Sequence, residues 1–241
     1  NAYYTSRSND SRRPFFNRVT QALFGPGSTF KPITALTILE EGVMSATERF
    51  NATGTSQYGV KDWVINSGLA PFGMIDMYGA MGMSSNHYFA DNGAKVGIDR
   101  ISEWMRKLGF GKTTGLDLFP GEVSGIVPSR EWKRQAFSDR ATSEQNWYPS
   151  DTEQISIGQG FHQMTLIQLA QAYAAIANKG TVFAPQIVME IEAPDGTVIF
   201  RAQPEISHTV EASQATWDAL SSVLTAPITH SRGTARGVMS G

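Results

Sequence analysis

Apolar residues recur at helical spacing in several separate stretches of the chain. In residues 28–41 they recur three and four positions apart, between a Gly-Pro-Gly segment and Gly42. This spacing predicts a helix with Ser28 at its N-cap or in its first turn. The same spacing predicts five further helices, over residues 76–83, 87–95, 98–108, 165–178 and 212–224, the last of the chain. We therefore expect a chain that folds mainly as packed helices.

Extended structure is predicted in only a few places. Residues 187–191 and 197–200 flank a Pro-Asp-Gly turn, a pattern that predicts a β-hairpin. A third short extended piece is predicted over residues 60–65. Residues 109–128 contain five Gly and two Pro, which predicts a long irregular loop. The polar residues 3–13 predict a solvated N-terminal segment that is ordered only by docking on the rest of the chain.

Composition and charge exclude several functional classes. The 241 residues are 41% hydrophobic, enough to bury a core, and the net charge of −2 gives no field that would draw the chain to nucleic acid. The chain has no Cys, and its four His residues show no metal-ligand spacing, so we expect no metal site. No apolar run reaches about 18 residues, so no membrane-spanning helix is expected within this sequence.

Ser28 and Lys31 are the first candidate catalytic pair. A spacing of three at the start of a helix places both side chains on one face, within mutual hydrogen-bond reach. A serine hydroxyl is a weak nucleophile unless a neighbour takes its proton, and a lysine can do so if burial leaves its amine neutral. From spacing alone, the commoner interpretation is a helix-capping Ser beside a solvated Lys.

A second candidate group is Ser84-Ser85-Asn86, the only S-x-N sequence in the chain. It lies at the predicted break between two helices, where side chains can project into a cleft. The alternative is an ordinary Ser/Asn turn that caps the helix following it.

The eight residues 25–32, Gly-Pro-Gly-Ser-Thr-Phe-Lys-Pro, resemble the active-site signature of high-molecular-mass penicillin-binding proteins. The S-x-N sequence resembles the second motif of the same family. The resemblance continues through residues 109–111, 114–118, 120–122 and 156–160, and so covers nearly the whole chain. The chain is similar to class B-like transpeptidase domains of the D,D-transpeptidase and serine β-lactamase superfamily.

The resemblance implies an α+β fold, the α/β sandwich of the penicillin-binding and β-lactamase type, and a peptidoglycan D,D-transpeptidase without a cofactor. It implies that Ser28 attacks the penultimate D-Ala of a stem peptide and that Lys31 is the base. Ser84 would relay a proton to the leaving group, and Asn86 would hold the substrate amide and the lysine. The implied partners are peptidoglycan stem peptides, β-lactams and membrane proteins of cell-wall synthesis. The implied location is the extracytoplasmic face of the bacterial membrane, with an N-terminal membrane helix outside this chain.

The family's third motif, K-T-G, is missing from residues 1–241. The near match Lys112-Thr113-Thr114-Gly115 lies in the predicted long loop, and we reject it. We expect K-T-G after Gly241 and expect residues 1–241 to be a partial transpeptidase domain that lacks sheet strands at both ends. This would leave apolar helix faces uncovered and remove one oxyanion donor, a loss that typically costs about 100- to 1000-fold in rate.

Two rival functions share the same motifs. A penicillin-binding sensor or non-catalytic assembly module would bind β-lactam without turning over peptide, and a class D-like β-lactamase or D,D-carboxypeptidase would release its acyl group to water within minutes.

Other polar and aromatic residues are expected to be structural. Trp104, Tyr173 and Trp217 fall at helical core positions, and Glu40-Glu41 is read as helix-surface charge. The sequence leaves open whether His162 borders the cleft or only packs; His208 and His230 are expected at the surface.

Overall fold

The computed structural model describes residues 2–116, 118 and 121–239. Asp117 and Pro120, from the family-like stretches 114–118 and 120–122, and the C-terminal Gly241 lie outside the described residues. The helices are α1 (Ala2–Ser8), α2 (Lys31–Glu40), α3 (Trp63–Asn66), α4 (Met77–Gly82), α5 (Asn86–Val96), α6 (Ile98–Lys107), α7 (Arg130–Ala136), α8 (Thr142–Gln145), α9 (Pro149–Ser156), α10 (Leu166–Ala177), α11 (Gln214–Val223), α12 (Ala226–Thr229) and α13 (Arg236–Met239). A 3₁₀ turn, Gly27–Phe30, runs directly into α2.

The strands form three separate antiparallel pairs. They are β1 (Phe50–Ala52), β2 (Gly73–Ile75), β3 (Thr181–Phe183), β4 (Glu190–Glu192), β5 (Val198–Arg201) and β6 (Ile206–Thr209). β1 pairs with β2, β3 with β6, and β4 with β5, with Ile191 opposite Phe200 in the last pair. Within the described residues no sheet has more than two strands. A mainly helical chain with an incomplete antiparallel sheet was predicted, and this is confirmed.

Helix α2 lies at the centre of the fold. Its residues from Lys31 to Ile38 are all buried, so the helix has no solvent face along most of its length. Helices α5, α6 and α11 pack around it. Pro32 is tolerated because the first turn of a helix needs no donor at that position. Such a central helix is buried because its apolar side chains point in every direction, and truncating one of them, Leu36→Ala, would cost about 2–5 kcal/mol.

Most of the predicted elements are present where the pattern placed them. All six predicted helices form, and four of them, α4, α5, α10 and α11, begin at a side chain that accepts from a first-turn amide. Asp76 accepts from the amide of Gly79, Thr165 from that of Gln168, and Ser213 from that of Thr216. The hairpin β4–β5 forms around the Pro-Asp-Gly turn.

Two predictions about local structure were wrong. Residues 60–65 do not form one extended piece, because Trp63 begins the short helix α3. A short apolar run does not distinguish strand from helix. The helix α11 is not the last, since α12 and α13 follow it. The N-terminal segment, expected to be solvated, is largely exposed; it contains α1, and Tyr4 stacks on Phe15 with ring centroids 5.2 Å apart.

The expected uncovering of apolar helix faces holds for only part of the fold. The central helix α2 is covered by other helices, so the expectation fails there. On α10, by contrast, Leu166 is 47% exposed, and Ala170 and Ala174 follow it on the same exposed stripe at intervals of four residues.

The loop after α9 fixes the segment that precedes Ser28. The amide of Gly27 donates to the carbonyl of Gly158, at 2.8 Å. Gly158 has a φ of +82°, and a Cβ built there would lie 1.8 Å from the carbonyl oxygen of Gly27. Only glycine fits this crossing, because any side chain would collide with backbone.

We expect Gly158→Ala to lower the free energy of unfolding by roughly 3 kcal/mol or more, because backbone strain and a backbone collision add. The matched control is Gly196→Ala, at a φ of +84° with no described atom within 4 Å, which should cost only about 1–2 kcal/mol. Urea unfolding of both variants measures the difference, and equal losses would contradict the role of the Gly27–Gly158 crossing.

Candidate active site

Ser28 lies in the exposed 3₁₀ turn that begins the central helix. Its hydroxyl oxygen accepts a hydrogen bond from the hydroxyl of Ser84, with the two oxygens 3.1 Å apart. The first-turn amides of the helix add the positive end of its dipole next to this oxygen. The turn therefore presents a hydroxyl to solvent at a position suited to a developing negative charge.

Ser84 is held in an unusual backbone conformation between α4 and α5. Its φ is +54°, a left-handed conformation that non-glycine residues seldom adopt. The next residue, Ser85, caps α5 by accepting from the amide of Tyr88. The S-x-N segment is thus a turn that caps the following helix, which was the alternative to a catalytic motif. The same turn also points the Ser84 side chain at Ser28.

The amine of Lys31 lies in the buried interior behind these two hydroxyls. The residue is only 1% exposed. Its Nζ donates to the carbonyl of Ser84 at 2.7 Å, to the hydroxyl of Ser84 at 2.9 Å and to Oδ1 of Asn86 at 2.8 Å. All three protons of an ammonium group therefore have an acceptor.

Burial sets the protonation of Lys31. Removal from water lowers the pKa of its amine to about 7, and the carboxylate of Asp62 opposes part of this shift. A lysine with this pKa exchanges between the charged and the neutral form near neutral pH. It can therefore accept a proton under ordinary conditions, which a solvated lysine does not do.

The four site residues predicted from the motifs, Ser28, Lys31, Ser84 and Asn86, come together, but the contact between the first two differs from the expectation. Of the described atoms, Lys31 Nζ makes no direct hydrogen bond to Ser28. The hydroxyl of Ser84 bridges them instead. The reason is that Asn86 and the Ser84 carbonyl draw the amine towards the S-x-N turn, away from the 3₁₀ turn that carries Ser28.

A pocket of about 250 Å³ opens above the two serines. Its wall includes residues from four separate parts of the chain: Ser28, Thr29, Lys31, Pro32, Met81, Ser84, Tyr173, Leu224, Pro227 and Thr234. Tyr173 belongs to this wall, and its hydroxyl donates to the carbonyl of Thr29 at 2.7 Å. Burial raises the pKa of this phenol to about 12, so it stays protonated.

Sequence reasoning missed the position of Tyr173, which was predicted to be core. Helical spacing gave no signal, because a tyrosine on the inner face of a helix can either pack or line a cavity. Trp104 and Trp217 are buried in the core as predicted.

His162 packs behind the 3₁₀ turn that carries Ser28 and does not line the pocket. It is fully buried, and its ring meets the edge of Phe30 at a centroid distance of 4.5 Å. Among the described atoms, neither ring nitrogen has a hydrogen bond partner of normal geometry. Burial lowers the pKa of its imidazole to about 4, with the backbone of Gly158 opposing the shift.

The remaining candidates lie outside this pocket. Lys112, the first residue of the near match to K-T-G, lies in the loop after α6, where its carbonyl accepts from Gln168 at 2.7 Å. This position agrees with rejecting the near match as the K-T-G motif. A larger pocket, of about 460 Å³, lies at the far end of α2 beside Glu40 and Glu41. Glu40 accepts from the amide of Ser213 and Glu41 pairs with Arg100, so both carboxylates have structural partners.

The described part of the chain contains no cluster of three or more His, Asp or Glu side chains placed to hold a metal ion. None of the helices in the described ranges has the length and apolar character needed to cross a bilayer.

A family model of the penicillin binding protein transpeptidase domain matches residues 1–241, the whole sequence. The chain belongs to this family.

One curated relative and one solved structure are similar to most of this chain. The chain is 33% identical over 217 residues to the peptidoglycan D,D-transpeptidase MrdA of Acinetobacter baumannii, covering 84% of this chain. It is similar to the crystal structure of Pseudomonas aeruginosa PBP2 in complex with WCK 5153, with a TM-score of 0.81, 36% identity and coverage of 98% of this chain and 50% of that one. The α+β fold of the penicillin-binding type is thereby confirmed.

A third similar structure is the complex between PBP2 and MreC from Helicobacter pylori, with a TM-score of 0.81, 25% identity and coverage of 100% of this chain and 41% of that one. The chain spans only 30% of the length of the Acinetobacter relative.

The buried, unpaired His162 predicts a specific loss of stability in acid. The unfolded chain takes up a proton near the ordinary pKa of 6.5, whereas the folded chain resists it until about 4. Stability should therefore fall as the pH drops between these values, by roughly 3 kcal/mol, and level off below them.

Urea unfolding across this pH range should show that His162→Phe removes most of the acid loss while keeping the contact with Phe30. His208→Gln, which changes a half-exposed histidine, is the control and should leave the loss in place. Equal acid loss in wild type and His162→Phe would contradict the assignment.

Proposed function

We propose that this chain carries the serine centre of a peptidoglycan D,D-transpeptidase. The observation that carries the proposal is the continuous hydrogen-bonded path from Ser28 through Ser84 to the buried amine of Lys31. Membership of the penicillin-binding protein transpeptidase domain family supports it. Ser28 is the nucleophile, Lys31 and Ser84 move its proton, and Asn86 orients the substrate.

Acylation begins with removal of the Ser28 proton. When Lys31 is neutral, its lone pair accepts the hydroxyl proton of Ser84, and the Ser84 oxygen accepts that of Ser28. Hydroxyl groups rotate freely enough to reverse the direction in which these bonds run. Since burial brings the pKa of Lys31 to about 7, a substantial fraction of the amine is neutral at physiological pH.

Attack then forms a bond between Ser28 Oγ and the carbonyl carbon of the penultimate D-Ala. The carbonyl oxygen becomes an oxyanion beside the Ser28 backbone N–H and the positive end of the helix. As the C–N bond breaks, the proton held by Lys31 returns through Ser84 to the leaving D-Ala amine. The resulting acyl-enzyme is consumed by an amine of a neighbouring stem peptide, which completes the cross-link.

The same geometry makes β-lactams expected inhibitors. Their strained amide imitates the D-Ala-D-Ala bond, and the amine formed on opening stays tethered to the acyl group.

The contacts of Asn86 support its role in orienting the substrate. Its Oδ1 is already bonded to Lys31, and its Nδ2 donates to the carbonyl of Lys61 at 2.9 Å. The side chain is thus fixed in orientation before a substrate arrives.

Similarity to the relatives supports a proposal for the cellular setting. We infer that the protein works at the extracytoplasmic face of the bacterial membrane, anchored in its full form by an N-terminal helix, with stem peptides as substrates. The similar Helicobacter pylori PBP2 was solved in complex with MreC, which supports cell-wall synthesis proteins as partners here.

Labelling by benzylpenicillin tests the proposal. Intact-mass spectrometry should find one added drug mass on the wild-type chain and none on Ser28→Ala, whereas Ser67→Ala, an exposed serine outside the pocket, should label normally. A form extended beyond Gly241 is measured in parallel, because residues 1–241 contain no K-T-G sequence and the loss of one oxyanion donor typically slows acylation about 100- to 1000-fold.

The outcomes separate the rival functions. Labelling of the longer form alone means that this chain needs the third motif for its rate. Release of the drug within minutes would favour a β-lactamase or carboxypeptidase. Labelling without turnover of stem peptide would favour a sensor, and no labelling of either form would leave a non-catalytic assembly module.

A further inference from the structure

The carboxylate of Asp62 is buried directly beneath the S-x-N turn. Asp62 is 0% exposed. Its Oδ1 accepts from the hydroxyl of Ser85 at 3.0 Å and from the amide of His87 at 3.0 Å, and its Oδ2 accepts again from Ser85 at 3.3 Å. The residues on either side of Asn86 are therefore tied to one carboxylate.

The neighbours of Asp62 hold the same turn at two more points. The carbonyl of Lys61 accepts from Nδ2 of Asn86 at 2.9 Å. The indole of Trp63 donates to the carbonyl of Met83, also at 2.9 Å. Residues 61–63 thus form a clamp around residues 83–87, and this 61–63 clamp holds the residues on both sides of Ser84. A strained turn persists only where its surroundings hold it in this way.

Asp62 is also unusual in its charge environment. A buried carboxylate is normally paired with a cation, because removal from water is costly. Across the described residues, no cationic side chain reaches Asp62 within hydrogen-bond distance; all of its partners are neutral donors. Its own charge acts on Lys31 across the turn that separates the two groups.

The other titratable groups near Lys31 do not compensate for this charge. Tyr173 lines the same pocket and stays protonated because burial raises its pKa to about 12. His87 faces away from Asp62: its Nδ1 accepts from the amide of Gly54 at 3.1 Å, and its Nε2 meets Asp91 at 3.1 Å. The remaining pocket side chains, from α4, α11, α12 and the C-terminal segment, are uncharged.

We propose that Asp62 is a positioning residue for the reaction at Ser28: it holds the turn that carries Ser84, Asn86 and the acceptors of Lys31. Its carboxylate is packed against this turn, and its negative charge then favours the protonated form of Lys31. The inference rests on the proposed function, since it concerns the proton transfer that acylation requires. Asp62 touches neither substrate nor Ser28, and acts entirely through the turn and through Lys31.

Two substitutions separate the two parts of this role. In Asp62→Asn the amide oxygen keeps both hydrogen bonds of Oδ1, so the turn is retained, while the charge and the longer bond that Oδ2 accepts from Ser85 are lost. In Asp62→Ala the charge and the acceptors are both lost, which leaves the Ser85 hydroxyl and the His87 amide without their buried partner. Trp63→Phe is the matched control, because it loosens the same turn at Met83 and keeps the carboxylate.

The experiment measures the rate of benzylpenicillin acylation between about pH 5 and pH 9. Removing a nearby negative charge destabilises the ammonium form, so the pKa of Lys31 falls and the acidic limb of the profile moves to lower pH. We expect Asp62→Asn to move the limb by about one pH unit and to keep its plateau rate within about threefold. Asp62→Ala should lower the plateau at least about tenfold, and Trp63→Phe should lower it about fivefold without moving the limb.

A second readout does not depend on acylation. The chain is labelled with ¹³C at lysine Cε, Lys31 is assigned by comparison with Lys31→Met, and its titration is followed by NMR in wild type, Asp62→Asn and Asp62→Ser. Folding of each variant is checked by its near-UV circular dichroism. In the two neutral variants measured by NMR, Asp62→Asn and Asp62→Ser, Lys31 should titrate at a lower pH than in wild type.

The possible results separate this inference from the function on which it rests. Lack of labelling of both the wild-type chain and its longer form would count against the transpeptidase proposal, while the NMR titration would still decide the role of Asp62. A Lys31 titration unchanged in both neutral variants, or an Asp62→Ala plateau equal to that of wild type, would overturn the positioning role. An acidic limb that moves equally in Trp63→Phe would also overturn the positioning role, because loosening of the turn alone would then explain the shift of the pH profile.

Discussion

The burial of one amine governs the candidate site. Lys31 is carried into the interior by the central helix α2, and its loss of water lowers the pKa of the amine to about 7. An amine in that position needs acceptors for its protons, and the S-x-N turn supplies three of them. The same three bonds place the Ser84 hydroxyl against Ser28. Desolvation of the lysine and orientation of the two serines are therefore consequences of one packing arrangement.

The scaffold around this arrangement is helical and rigid where the site needs it to be. Helix α2 is enclosed by α5, α6 and α11, so the direction of its first turn is fixed by packing on all sides. The Gly27–Gly158 crossing fixes the loop before Ser28, and the 61–63 clamp fixes the turn that carries Ser84 and Asn86. Three supports from distant parts of the chain thus converge on one hydroxyl. A site of this kind gains its reactivity from position and burial, since none of its side chains is chemically unusual.

Sequence reasoning succeeded where the signal was local. The helix starts at Asp76 and Thr165 were readable because a capping side chain and the amide it binds lie within one turn. It failed at Trp63, where a short apolar run was taken as extended, and at Tyr173, whose place in the pocket wall depends on the packing of α10 against the turn of Ser28. It also expected a direct contact between Ser28 and Lys31, which the tertiary structure replaces with a bridge through Ser84.

The sequence by itself determined the helical framework, the family, and the four residues of the two motifs. It did so because periodicity, caps and an eight-residue signature are properties of neighbouring residues. Only the tertiary structure decided how these residues work together. The Ser84 carbonyl meets Lys31 across 53 positions of sequence, and Asp62 lies beneath the turn without belonging to either motif. The proton affinity of a lysine depends on the water removed from it and on the charges packed near it, and both are set by distant parts of the chain.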